Sequence, residues 1–176
     1  MPMIVTVKEA AAYIGTAVES EELLEKKIRA VESIVRAYTN NNFQFRAVQF
    51  EAEVVKGVIQ FRHAYLAVGD NIQISKSVNA GIYTITELTD AGTVVDLTLY
   101  DAVRNLVTKV VYPPAVQDGV LNLLKWEYQN RDKVGLKSET IGRHAVSYYD
   151  QDSNNQIMGY PVSLLGFLEP YMLPSF

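Results

Sequence analysis

The hydrophobic period of this chain changes twice, and each change marks a boundary. Up to Asn42 apolar residues recur every three to four positions. From Phe43 to Tyr112 they recur every second position, and beyond Pro113-Pro114 the longer period returns. A helix buries a stripe and a strand buries a face, so a segment written in one period does not settle as the other. Helix, strands, helix over 176 residues predicts an α+β chain. Its parts are a small helical bundle domain from 1–42 and 113–176, an antiparallel β-barrel or sandwich module inserted at 43–112, and an extended C-terminal arm.

The helices are punctuated by their caps. Thr6 and Glu9 stand at capping-box spacing before Ala10-Ala11-Ala12-Tyr13-Ile14, and Gly15 ends that turn. Ser20 caps a helix of about 18 residues reaching Tyr38 and Thr39. Leu24, Ile28, Val31, Val35 and Tyr38 form its apolar stripe, widened by Leu23, Ala30, Ile34 and Ala37. Glu22 with Lys26, Glu25 with Arg29 and Glu32 with Arg36 form acid-first i, i+4 pairs on the remaining face. Asn40-Asn41-Asn42 ends the helix, because Asn accepts left-handed backbone.

Between 43 and 112, Val48, Phe50, Ala52 and Val54 alternate with polar residues. Ile72 with Ile74, then Val95, Leu97 and Leu99, then Val107 and Val110-Val111 do the same. Lys56-Gly57, Gly69-Asp70-Asn71, Asn79-Ala80-Gly81 and Asp90-Ala91-Gly92 separate the runs. Five to seven short strands are expected, with Phe50, Phe61, Tyr65, Tyr83 and Tyr100 mostly in the barrel core.

Pro113-Pro114 opens a third helix with Val116, Val120, Leu123, Leu124 and Tyr128 on one face, ending about Arg131 before Gly135. Ile141, Val146 and Tyr148 suggest a short extended segment. Pro161 and Pro170 bracket a helix of about nine residues carrying Leu164, Leu165 and Leu168. That ending is almost uncharged and too short to be helical alone, so it needs cover, assigned chiefly to other chains.

Chemistry is scarce. The chain has no cysteine and two histidines, His63 and His144, which excludes disulfides and thiolate metal sites. Asp150-Gln151-Asp152 reads as a solvated loop, and Asp96 and Asp101 carry no mark of a catalytic acid. No phosphate-binding, dinucleotide or nucleophile-elbow motif is present. No cofactor, metal or catalysis is expected. The net charge of −4 and sequence pI near 5.2 argue against a protein that coats nucleic acid by neutralising phosphates. Neither a signal peptide nor an apolar run of about 18 to 20 residues is indicated, so cytoplasmic synthesis and no membrane partner are expected.

Three stretches carry a family resemblance. They are VTVKEAAAYIG with the helix ending AYTNNNF; VGDNIQIS with NAGIYTI; and NRDKVGLKSETIGRHAVSYY with IMGYPVSLLGFLEPYM. In these the chain resembles the head–tail connector (adaptor) proteins of tailed bacteriophages, especially those of Gram-positive hosts. The smaller family members are mostly helical and lack the β insertion. The resemblance implies a structural virion protein of the neck, made in the bacterial cytoplasm. It implies a homo-oligomeric ring, usually twelvefold, beneath the portal protein. Such a ring extends the channel for passing double-stranded DNA and receives the stopper or tail-completion protein. Ile157, Met158, Tyr160, Leu164, Leu165, Phe167, Leu168, Tyr171, Met172 and Phe176 would form the portal-contacting arm. Lys137, Glu139, Arg143, His144 and Tyr148 would belong to a subunit or channel-side element. The rival readings are another neck component and a nucleic-acid-binding small barrel.

Overall fold

A computed structural model describes residues 3–15, 20–130, 138–141, 144–147 and 156–174. The chain divides into two compact units, one spanning Asn42–Tyr112 and the other Met3–Asn41 with Pro113–Phe176. The fold is α+β with an inserted, closed antiparallel barrel.

The helical unit is built on α1 (Val7–Ile14), α2 (Glu21–Thr39) and α3 (Pro114–Asn130). The capping box forms as the sequence requires. The Thr6 hydroxyl accepts from the Glu9 amide at 3.2 Å, and the Glu9 carboxylate accepts from the Thr6 amide at 2.8 Å. Those Thr6 bonds, backbone first and then side chain, hold the Glu9 carboxyl below its ordinary range. Ser20 accepts from the Leu23 amide at 3.1 Å, and Asn40 takes left-handed backbone with φ 50°. Leu24, Ile28, Val31 and Val35 from α2 and Val116, Val120, Leu123 and Leu124 from α3 are buried. Tyr38 is only half-buried; Thr39 is buried beside it and donates to the Val35 carbonyl at 2.7 Å.

One expected surface pair is not on the surface. Glu22–Lys26 forms an exposed ion pair and Glu25–Arg29 a half-buried one, whereas Glu32 is 3 % exposed. Its carboxylate accepts from the Ile4 amide. Residues before α1 fold inward, with Ile4 and Val5 buried, and a buried amide needs an acceptor. Glu32 supplies it.

The barrel is β1 (Gln44–Val55), β2 (Val58–Ile59), β3 (Asn71–Ser75), β4 (Gly81–Leu88), β5 (Thr93–Val95) and β6 (Ala102–Val110). Their order around the closed sheet is β1-β2-β5-β4-β3-β6. Lys56 and Gly57 turn β1 into β2 with φ 52° and 78°, the two-residue hairpin loop whose twist matches its strands. The barrel closes where Ile59 pairs with Thr93. Gly92 permits that approach, since a Cβ there would stand 2.0 Å from the Ile59 carbonyl oxygen. Val48, Ala52, Val54, Ile59, Leu66, Ile72, Ile74, Ile85, Val95, Leu99 and Val107 make the core. Leu97 and Val111 continue the alternating pattern but fall beyond β5 and β6, and both are exposed.

A polar network braces the barrel loops. Asn79 clamps Tyr100, accepting its amide and donating to its carbonyl, both at 2.8 Å. Asn105, fully buried, donates to the Ala52 and Ala102 carbonyls at 3.1 and 3.0 Å and accepts from Ser77 at 2.6 Å. Each polar atom in this cluster has a partner, the condition under which a buried network rigidifies.

Candidate interaction surfaces

The C-terminal segment begins with β9 (Gln156–Ile157) and β10 (Tyr160–Pro161), joined through Met158 and Gly159 at positive φ. Instead of one helix of about nine residues, two 3-10 pieces follow, Val162–Leu164 and Gly166–Tyr171. Leu165 sits between them, Gly166 opens the second, and Pro170 lacks the N–H an α-helix would use.

The segment lies on its own unit and does not extend as a free arm. Leu165, Leu168 and Tyr160 are buried there. The Tyr160 hydroxyl donates to the buried Glu127 carboxylate, whose other oxygen receives the Lys27 ammonium at 3.2 Å. The Tyr160 ring stands 5.6 Å from that of Trp126. Further along, the Leu173 amide donates to the Thr39 carbonyl at 2.8 Å. Asn41 and Asn40 donate to the Tyr171 and Pro174 carbonyls, both at 2.9 Å. Isolated apolar turns are marginal in water, and a groove on the same chain is the nearest cover.

The segment keeps an outer side. Met158, Val162, Met172 and Leu173 are exposed, and Ile157, Leu164, Phe167 and Tyr171 are half-buried. Beside it a cavity of about 450 Å³ is lined by Asp118, Asn122, Trp126, Ser163, Leu164 and Phe167, among others. Phe176 lies outside the described residues.

Of the expected channel-side element, Glu139 lies in β7 (Ser138–Ile141) and His144 in β8 (His144–Ser147). These strands pair with each other, Glu139 opposite Val146 and Ile141 opposite His144. Lys137, Arg143 and Tyr148 lie outside the described residues, as do Asp150 and Asp152.

The barrel surface corrects one expectation. Phe61, Tyr65 and Tyr100 are not core side chains; they are 43 %, 74 % and 75 % exposed. Phe50 and Tyr83 alone of the five rings pack against the core, half-buried. Aliphatic side chains of β1, β3, β4 and β6 already fill a six-stranded interior, so the rings of the 60–66 segment collect outside. Phe50 stacks on His63 at 5.5 Å, Phe61 lies 4.7 Å from Phe50, and Tyr65 lies 5.7 Å from His63. Nearby, Phe45, Ala47, Val48, Tyr65, Lys109 and Val111 line a second cavity of about 510 Å³. Lys109 bonds Asp70 at 2.6 Å, and Arg104 bonds Glu51 at 3.0 Å.

The singled-out titratable groups of the barrel brace backbone. His63 Nδ1 accepts from the Tyr65 amide at 3.2 Å, Asp96 from Thr84 at 3.0 Å and Asp101 from Lys56 at 2.6 Å. Burial, followed by the charge of Asp96, raises the Tyr83 hydroxyl above its usual range. Among the described residues no three of His, Cys, Asp and Glu gather where they could hold a metal ion. No described helix is long and apolar enough to cross a membrane.

The buried Glu32 and Glu127 eluded the sequence reading, because both look like ordinary helix-surface acids. The one available signal was their position: Glu32 follows Val31 and Glu127 lies three residues after Leu124, next to the apolar stripes. No known protein-family model matches the chain, and no curated protein does.

Proposed function

We propose that this chain is a head–tail connector of a tailed bacteriophage, a structural subunit of the virion neck without catalytic activity. Copies form a ring beneath the portal protein, extend the channel through which double-stranded DNA passes, and present a platform to the stopper or tail-completion protein. The observation that carries this reading is the C-terminal combination NRDKVGLKSETIGRHAVSYY with IMGYPVSLLGFLEPYM, together with the N-terminal VTVKEAAAYIG. It is supported by the outer side of the C-terminal segment, where Met158, Val162, Met172 and Leu173 stay exposed on a folded base. Methionine and large aliphatic side chains adapt to a partner surface and gain from being covered. The matching ring contact needs two different surfaces on each subunit.

Deleting everything from Ile157 onward would also strip the cover from the helical core, because Tyr160, Leu165 and Leu168 are part of it. Point changes are the cleaner test. Met158→Ser with Met172→Ser and Leu173→Ser should leave the subunit folded and weaken its retention on portal rings, read by electron microscopy and co-sedimentation. Wild-type protein that forms no ring, alone or with portal, would remove the proposal.

A second reading is favoured by one observation, the exposed rings of Phe61 and Tyr65 in a row with half-buried His63 and Phe50. Aromatic rows on small barrels stack unpaired bases. Titration with single-stranded DNA at low and moderate salt separates the two, since only this reading expects tight, steeply salt-dependent binding.

A further inference from the structure

Residues 3–6 precede α1 and belong to no helix or strand, yet Ile4 and Val5 among them are buried. Two hydrogen bonds reach this segment from far along the chain. The Ile4 amide donates to the Glu32 carboxyl group of α2. The Ile4 carbonyl accepts from Gln117 Nε2 of α3 at 3.3 Å. Both backbone groups of one residue are thus held by side chains of two different helices, which makes the segment a strap laid across α2 and α3. Thr6 and Glu9 cap α1 between themselves, so the strap can leave without unwinding that helix.

Of the two bonds on Ile4, the one to Glu32 can change charge. A carboxyl group taken out of water favours its neutral form, and renewed contact with water restores the charged one. Burial lifts Glu32 from 4.5 to about 7; the charge of Arg36, the Ile4 amide, Arg29 and the amino terminus oppose it only in part. Arg36 and Arg29 stand one turn to either side along α2, and Gln117 on α3 does not titrate. Lifting the strap returns water to the carboxyl group. The seated form therefore holds a proton that the lifted form gives up at ordinary carboxylate values. Loss of that proton favours lifting.

We infer that residues 3–5 are a proton-controlled strap, seated on α2 and α3 while Glu32 is neutral and released toward solvent when Glu32 ionises. Release uncovers the helix surface that Ile4 and Val5 occupy. The inference is independent of the connector reading, and neither falls with the other.

Hydrogen exchange of the full chain between pH 4.5 and 7.5, corrected for the intrinsic rate at each pH, tests it. Protection of the Ile4 amide should fall on the order of a hundredfold across this range. At every pH it should stay below that of Leu123 and Leu124 in α3. Low urea should speed those α3 amides and barely change Ile4, because lifting exposes little surface and unfolding exposes much. Glu32→Gln should leave Ile4 protection flat with pH. Val5→Ala removes buried surface without touching the carboxyl group, so it should lower Ile4 protection several-fold and keep the slope. Constant Ile4 protection in the unsubstituted chain would overturn the strap. So would Ile4 exchange that matches Leu123 in rate and urea dependence, or an unchanged slope in Glu32→Gln. If Glu32→Gln does not fold, the comparison of Ile4 with Leu123 in the unsubstituted chain still decides.

Discussion

The ring of Phe167 occupies the space over Gly119 of α3 that a side chain would take: a Cβ there would stand 2.3 Å from the ring's Cε2. This single contact ties a glycine inside a helix, an otherwise unfavourable choice, to the docking of the C-terminal segment. Gly119→Val should displace Phe167 and loosen the 162–171 turns, lowering stability by about 1 to 3 kcal/mol. Gly119→Ala adds helix propensity worth up to about 1 kcal/mol, so its net effect should be smaller. Limited proteolysis within 156–174, compared with global melting, tests this; unchanged cleavage in the valine variant would contradict it.

Tyr160→Phe removes the donor to Glu127 while keeping the ring against Trp126. The carboxylate stays buried with Lys27 as its remaining named partner. Losing a hydrogen bond to a charged group should cost about 1.5 to 3 kcal/mol. The chain's one tryptophan, Trp126, reports urea unfolding of this unit by fluorescence, and a shift below about 0.5 kcal/mol would count against the clamp.

Asn105→Ala should destabilise the barrel by about 2 to 4 kcal/mol, since it leaves the Ala52 and Ala102 carbonyls without their donor. Ser77→Ala removes one donor from the same cluster and should cost about 1 kcal/mol. Hydrogen exchange of β6 amides reads the barrel separately from the helical unit. Equal effects from the two substitutions would mean that Asn105 is not the hub.

Glu32 gives the helical unit a pH dependence of defined sign. Burial, opposed by the charge of Arg36, raises its carboxyl from 4.5 to about 7. Between those values the unfolded chain has released the proton and the folded chain still holds it. Stability therefore falls as pH rises through this window, by on the order of 3 kcal/mol in all. Glu9 and Glu25 are held low instead, so their contribution is lost as pH falls below the ordinary carboxylate range. Glu32→Gln keeps an acceptor for the Ile4 amide and should flatten the stability profile from pH 4.5 to about 7. A variant with the wild-type slope would place its origin elsewhere.

Much of the fold was legible because it is local. Thr6 with Glu9, Ser20, Asn40 and Pro114 act within one helical turn, and Lys56-Gly57 sets a hairpin by its own backbone preferences. The candidate surfaces were less legible. The same apolar letters in LLGFLEPYM suit cover by this chain or by another, and only packing shows that Leu165 and Leu168 are covered here while Met172 is not. The aromatic residues of 61–65 carry no mark that the barrel interior is already full.

The sequence by itself determined where helices give way to strands and return, because period, caps and turn residues act over a few positions. Tertiary structure alone decided which groups change sides: Glu32 and Glu127 go inward, Phe61 and Tyr65 outward, and the C-terminal turns onto α2 and α3. Burial depends on residues distant along the chain, such as Ile4 for Glu32 and Tyr160 for Glu127. No local pattern carries that information.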